Sequence, residues 1–272
     1  MILFVASETD VASMNIRQQL LANYDFKETA EQFHGNVIYR KEADDVKVKL
    51  ITIREEPIYY QAITDYFSPQ LIIYISRHSS KSGTPTLSVH TPGNLGSAEK
   101  GGIPRRVSIA PACAMKEALL ELAQQRDKLS LDYQVSYECT HHGPSLDVAT
   151  MFVELGSSPT QWDDLKAAEA VAHAAMASVN QSFKPSAVAV GVGGPHYNGK
   201  FTHMALEEDY AFGHIIPKYA VFQVDQYILK QCVERALEKV RTIVLDWKGI
   251  KGDDRKGLAQ AINEAGVEAE KV

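Results

Sequence analysis

Short, almost wholly apolar runs constrain this chain most. Leu71-Ile72-Ile73-Tyr74-Ile75-Ser76 and Ala187 to Val192 are near-continuous, and Tyr133, Val135 and Tyr137 form a β-prone alternation. Such runs read as strands buried inside an α/β sheet, without the wet face of a surface hairpin. Each runs into histidine where it stops. The first delivers Arg77-His78-Ser79-Ser80-Lys81, the second Gly193-Gly194-Pro195-His196-Tyr197-Asn198, and the third Glu138-Cys139-Thr140-His141-His142-Gly143-Pro144. Ligands of open α/β sheets bind outside the carboxyl ends of strands, so these ends are expected to converge on one polar pocket.

The flanking pattern supports a mixed α/β fold. Ile2 to Ala6 reads as a first buried strand, followed by a helix capped by Asp10 or Ser13 and carrying Met14, Ile16, Leu20 and Leu21. Asn36 to Arg40 and Val46 to Ile53 read as strands, the second alternating Val46, Val48 and Leu50 against Lys47 and Lys49. One face there is expected to be wet. Ser82 to Arg106, rich in Gly, Pro and Ser and containing His90, Lys100, Arg105 and Arg106, reads as a long loop, either functional or a plain surface excursion. Val107 to Ala110 is expected to be a short strand and Pro111 to Gln125 a helix. Met151 to Leu155 is the next strand, and Thr160 with Asp163 resembles a capping box opening a helix to about Val179. Asp225 to Val240 reads as a helix, Ile243 to Trp247 as a strand, and Arg255 to Glu264 as a last helix ended by Gly266.

With 272 residues, 45% hydrophobic content and no linker or repeat, residues 1–272 are expected to form a single domain. The net charge of -6 excludes a wholly basic nucleic-acid binder, so any nucleic acid would be held by a local basic patch. Cys113, Cys139 and Cys232 are odd in number and lack finger spacing, as expected of reduced thiols. Cys113, in the first turn of a helix, reads as packing rather than chemistry. The opening residues do not resemble a signal peptide and no apolar run reaches ~20 residues, so a cytoplasmic protein without a membrane segment is expected.

Strand alternation places Glu138, Thr140 and His142 on one face and Cys139 and His141 on the other, unless the strand ends early and the turn into Gly143 brings His141 inward as well. Imidazoles with a carboxylate suit zinc, but the spacing matches no zinc signature and no HExxH helix exists. General-base chemistry by a histidine, or a nucleophile among Ser79, Ser80, Thr140 and Ser145, stays open, although no GxSxG elbow is present. Each histidine alone reads most simply as a hydrogen-bonded structural group. Taken together, and with His214 in Phe212-Gly213-His214, they point to a shared active site. Gly191-Val192-Gly193-Gly194 lacks the GxGxxG form and is followed by no evident helix, which argues against a dinucleotide site. Its N–H groups would suit an anion or oxyanion.

At these motifs the chain resembles the archaeal and plant type of D-aminoacyl-tRNA deacylase. The segments that carry the resemblance are Ala12-Ser13-Met14-Asn15-Ile16, Ser76 to Lys81, Glu138 to Pro144, Gly193 to Tyr197, Ala211 to Ala220 and Asp246-Trp247-Lys248-Gly249. They cover nearly the whole chain, with a departure at Pro195, where the family pattern has glycine. The resemblance implies a fold of the phosphorylase/peptidyl-tRNA hydrolase class: a mixed, mostly parallel sheet flanked by helices. It also implies hydrolysis of the ester joining a D-amino acid to tRNA, a recycling of mischarged tRNA, with zinc as cofactor.

Under that reading the catalytic set is Glu138, His142, His196 and His78, and metal ligands would come from His141, His142, His196 and Glu138. Arg77, Lys81 and Lys200 are candidates for tRNA phosphates, extended by the loop from Lys100 to Arg106. Two rivals remain. One is a zinc peptidase or phosphorylase-like enzyme of the same broad fold, for which a di-metal carboxylate set is not evident. The other is a non-catalytic tRNA- or metal-binding protein. The sequence leaves the oligomeric state open.

Overall fold

The computed structural model describes residues 1–43, 46–180, 185 and 187–272. Eight strands, β1 (Ile2–Ser7), β2 (Lys27–Phe33), β3 (Asn36–Ala43), β4 (Val46–Ile53), β5 (Leu71–Arg77), β6 (Thr86–His90), β7 (Gln134–Tyr137) and β8 (Ala149–Gly156), form one sheet in the order β2-β3-β4-β1-β5-β8-β6-β7. Pairing is parallel across β4-β1-β5-β8 and between β6 and β7, and antiparallel at β2-β3-β4 and between β8 and β6. Four more strands, β9 (Ala187–Val192), β10 (Tyr210–Ile216), β11 (Thr242–Leu245) and β12 (Glu268–Lys271), make a parallel second sheet in the order β10-β9-β11-β12. The mixed, mostly parallel, helix-flanked architecture expected from the sequence is the one observed.

The helices are α1 (Val11–Asn23), α2 (Ile63–Tyr66), α3 (Ala112–Lys128), α4 (Pro159–Trp162), α5 (Leu165–Ala177), α6 (Gly199–Glu207), α7 (Gln226–Glu234) and α8 (Gly252–Ala265). Residues of α1, α3 and α5 cover one face of the large sheet, where Phe4, Ile73, Ile75, Met151, Val153 and Leu155 are buried in a cluster that also takes Phe212 and Val244 from the second sheet. Leu3, Val5, Ile72, Tyr74 and Phe152 fill the opposite face. Because both faces are dry, β1, β5 and β8 show little polar alternation. Each fully buried Leu or Ile there contributes roughly 1.5–3 kcal/mol of transfer free energy. Among the described residues no helix is long and apolar enough to cross a membrane.

Several local expectations are corrected. The stretch read as a loop from Ser82 to Arg106 contains β6, seated between β8 and β7 in the large sheet. Its small polar residues fit because the face they point to is itself polar. The helix after Pro159 is interrupted: α4 ends at Trp162, and the side chain of Asp164, not Thr160, accepts from the N–H groups of Lys166 and Ala167 to cap α5. A helix does follow the Gly193-Gly194 turn, because Asn198 caps α6 by accepting from the Phe201 N–H. Val107 to Ala110 makes only isolated bridges, and α7 stops at Glu234. Asp10, rather than Ser13, caps α1, and Gly266 ends α8 at φ 67°, the left-handed conformation glycine adopts without penalty.

Candidate active site

The large sheet carries one polar rung across an otherwise apolar face. Register pairs Ser76 of β5 with Glu154 of β8, and Glu154 with Ser88 of β6. The Ser76 hydroxyl donates to Glu154 at 2.7 Å, and the Ser88 hydroxyl donates to Glu138, one residue past β7, at 2.5 Å. The neighbouring rung is aromatic: Phe152 stacks between Tyr74 at 4.7 Å and His90 at 5.1 Å between ring centroids. Two buried carboxylates thus sit on a rigid floor. A buried carboxylate persists only with charged or hydrogen-bonding partners, and the histidines supply them.

Glu138 is fully buried at the centre of this group. Its Oε1 lies 3.0 Å from His78 Nδ1, and its Oε2 lies 2.8 Å from His196 Nε2 and 3.7 Å from His141 Nε2. His78 also approaches Glu154 at 3.5 Å, and its Nε2 meets the Tyr197 hydroxyl at 2.5 Å. Burial works against charge on His78, but the Glu138 and Glu154 carboxylates prevail and hold its pKa up to about 11. For His196, burial is likewise outweighed, by the Cys139 sulfur at 3.1 Å and by Glu138, and the pKa rises to about 10. Despite its burial, Glu138 is held well below the ordinary carboxylate value by His78 and His196. At neutral pH a carboxylate is therefore flanked by two imidazolium groups.

His141 and His142 behave in the opposite way. Burial and their crowding with His90 push both pKa values down, that of His142 to about 4. Each neutral ring donates Nδ1–H to a carbonyl, His141 to Cys139 at 2.8 Å and His142 to Gly143 at 2.7 Å, which leaves Nε2 as a free lone pair. His90 is buried with neither ring nitrogen hydrogen-bonded, its Nε2 lying 3.5 Å from a Glu154 oxygen. One ring nitrogen from each of His90, His141 and His142 falls within a 4.8 Å group, and so do donor atoms of His78, Glu138 and His196, and of Cys139, His141 and His196.

Strand alternation does not apply to the histidine pair, because β7 ends at Tyr137. Glu138 bridges antiparallel to Tyr197, the Thr140 N–H donates to the Ile215 carbonyl, and His142 takes φ 45°, left-handed for a non-glycine residue. The turn brings both His141 and His142 into the cleft, while the Thr140 hydroxyl meets His214. The Gly93 N–H donates to the His142 carbonyl at 2.7 Å, and a Cβ at Gly93 would stand 2.5 Å from the Val107 backbone. At Gly143 a Cβ would meet the Gly102 nitrogen at 2.3 Å, so three segments cross there only because no side chain intervenes.

The structure therefore brings His78, His141, His142 and His196 to one cleft, with Glu138 buried behind His78 and His196. Two further members, His90 and Glu154, were not singled out from the sequence. A carboxylate inside the apolar run Met151 to Leu155, and the Leu87, Val89 against Ser88, His90 alternation, were the available signals. Arg77 lines the cleft and pairs with Glu56, and Lys81 is exposed beyond it. Lys200 lines neither side of the cleft and pairs with Asp246 at 2.6 Å.

His214 lies apart from this group. Its Nδ1 meets the Thr140 hydroxyl at 3.1 Å and its Nε2 donates to the Arg235 carbonyl at 3.0 Å, so it ties β10 to the segment after β7 and to the end of α7. Burial lowers its pKa to about 4. Unfolding restores the ordinary value, so the unfolded chain binds more protons between pH 6.5 and 4, and stability falls as pH drops through that window. Relative to His214→Gln, the wild-type protein is expected to lose on the order of 3 kcal/mol more across it. Parallel pH curves of melting temperature for the two proteins would contradict this.

An open cleft at the face of a mixed α/β sheet, floored by buried carboxylates and walled by imidazoles of two contrasting charge states, defines a hydrolytic enzyme centre. The chain belongs to the D-aminoacyl-tRNA deacylase family. The model of that family matches residues 65–270. D-aminoacyl-tRNA deacylases of Thermococcus kodakarensis and Pyrococcus abyssi are 42% and 41% identical to it, each match covering 97% of both chains. A crystal structure of a conserved protein of unknown function superposes with a TM-score of 0.88 at 32% identity, over 100% of this chain and 95% of the other.

Proposed function

We infer that the protein hydrolyses the ester of D-aminoacyl-tRNA, releasing the D-amino acid and free tRNA. Besides family membership, the observation that supports this most directly is Glu138, buried behind His78 and His196, which themselves line an accessible cleft. An aminoacyl ester is already activated, so charge stabilisation and proton transfer suffice for its cleavage.

In this reading the His78 and His196 imidazoliums face the developing negative charge of the attacked carbonyl, and Glu138 keeps both rings charged. Both nitrogens of each ring are engaged, those of His78 by Glu138 and Tyr197 and those of His196 by Glu138 and Tyr219, so the two rings act through their charge and keep their protons. Without a metal, the free Nε2 of His141 or His142 would take the proton of the attacking water and return it to the ribose oxygen as the ester C–O bond breaks; with a metal, the same nitrogens would hold it.

The donor set fits zinc. Two imidazoles with their tautomers fixed by carbonyls, and a third buried ring with neither nitrogen satisfied, match the needs of a borderline cation. We propose His90, His141 and His142 as the primary ligands. This adds His90 to the sequence-based set of His141, His142, His196 and Glu138 and moves His196 and Glu138 to supporting positions. Bound there, zinc would supply Lewis-acid character beside the ester. Arg77 and Lys81 remain candidates for phosphate contacts at the rim, a cytoplasmic setting follows from a tRNA substrate, and we read residues 1–272 as one domain.

The test is hydrolysis of D-tyrosyl-tRNA against L-tyrosyl-tRNA by the purified protein, before and after chelation and zinc add-back. D-selective turnover that chelation removes and zinc restores is expected. Turnover indifferent to chelation would reject the metal but keep the deacylase, and absent turnover would leave a binding protein.

A further inference from the structure

The cleft has two chambers that meet at His141, His142, His196 and Lys100. Their linings differ. The first, about 420 Å³, is lined by Asp10, Glu56 and Glu154 together with the cationic Arg77 and His78, with Ile58, Phe152 and Trp162 as apolar wall. The second, about 480 Å³, is lined by the backbone of Gly93 to Ser97 and by Pro217, Tyr219, Ala220 and Gln223, with Glu99 as its single carboxylate. An aminoacyl-tRNA end is likewise two-sided: an α-ammonium and side chain on one side of the ester, a nucleotide and its phosphate on the other.

The second chamber opens beside exposed rings. Tyr219 is 52% and Phe222 70% exposed, the latter lying between the chamber residues Ala220 and Gln223, and exposed Lys218 precedes them. Tyr219 is anchored by its hydroxyl to His196 Nδ1 at 3.1 Å and Cys139 Sγ at 3.3 Å, which fixes its ring at the junction of the chambers. Single-stranded nucleotides are held on such platforms by base stacking next to a cation.

Building on the deacylase reading above, we propose that the 3′-terminal nucleotides of the tRNA enter through this second chamber, stacking on Tyr219 and Phe222, so that the D-aminoacyl group lies in the first chamber. Continuity with the reacting site makes the occupant specific: the ester sits on the last nucleotide, so the unpaired end must cross the mouth at which these rings stand.

The experiment is binding of uncharged tRNA, intact or with its 3′-terminal nucleotides removed, by fluorescence anisotropy at one fixed salt concentration. The wild-type protein is expected to prefer intact tRNA by about ten-fold, Phe222→Ala to lose that preference, and Phe222→Tyr to retain it. Phe222→Ala is also expected to raise KM for D-tyrosyl-tRNA by about ten-fold. No preference in the wild type, or an undiminished one in Phe222→Ala, overturns the proposal. Wild-type turnover measured on the same preparation separates the two readings: turnover with an unaltered preference sinks only the nucleotide platform, whereas no turnover sinks both.

Discussion

Replacing Glu138 by glutamine is expected to lower D-tyrosyl-tRNA hydrolysis by roughly 10²- to 10⁴-fold, the range general acid–base and charge-positioning groups supply. Glutamine keeps the shape and still accepts from the Ser88 hydroxyl, but it removes the charge that holds His78 and His196 protonated. Both rings then titrate nearer the ordinary imidazole value. The sign follows: the wild-type rings stay charged toward pH 10, whereas those of the variant, left with Glu154 and Cys139 alone, deprotonate at lower pH, so any residual activity loses its alkaline side first. A pH–rate profile distinguishes this from a structural role, which would lower activity without moving the alkaline limb. A Glu138→Gln enzyme with wild-type rate would remove Glu138 from the mechanism.

The second large effect is expected at His90. His90→Phe retains a ring that stacks on Phe152 while deleting both nitrogens, so it tests ligation without opening a cavity. Elemental analysis is expected to show loss of bound zinc, with activity lower by at least about 100-fold, as for loss of a ligand. Its melting temperature should match or exceed that of the zinc-free wild type, because two unsatisfied buried nitrogens disappear. A variant that keeps its zinc and its rate would make His90 a packing residue and return ligation to His141, His142, His196 and Glu138.

Both predictions turn on groups of very different visibility. His78, Glu138, His141, His142 and His196 stood out in the sequence because each follows an apolar strand at a turn, where a polar side chain has no packing reason to be. His90 and Glu154 did not. Glu154 was hidden inside a run that reads as core, and His90 within a segment whose Gly, Pro and Ser content resembles a loop. The reason is the polar rung: Ser76, Glu154 and Ser88 are acceptable in a buried face only because register places them side by side. Register between β5, β8 and β6 is a non-local property.

The charge states followed the same division. No spacing rule separates His78 and His196, held protonated, from His141 and His142, held neutral. The difference is which rings touch Glu138 and Glu154 and which touch a carbonyl and one another, and that depends on β7 ending at Tyr137 and on the left-handed turn at His142.

By itself, the sequence determined the fold class, the strand ends that carry histidine and the family, because apolar periodicity and short motifs are local and survive translation into structure directly. Only the tertiary structure decided which histidines share Glu138, that β6 belongs to the sheet, and that the cleft has two chambers meeting at His141, His142 and His196. Those depend on distances between segments far apart in the chain, which burial and hydrogen-bond satisfaction fix only once the whole sheet has assembled.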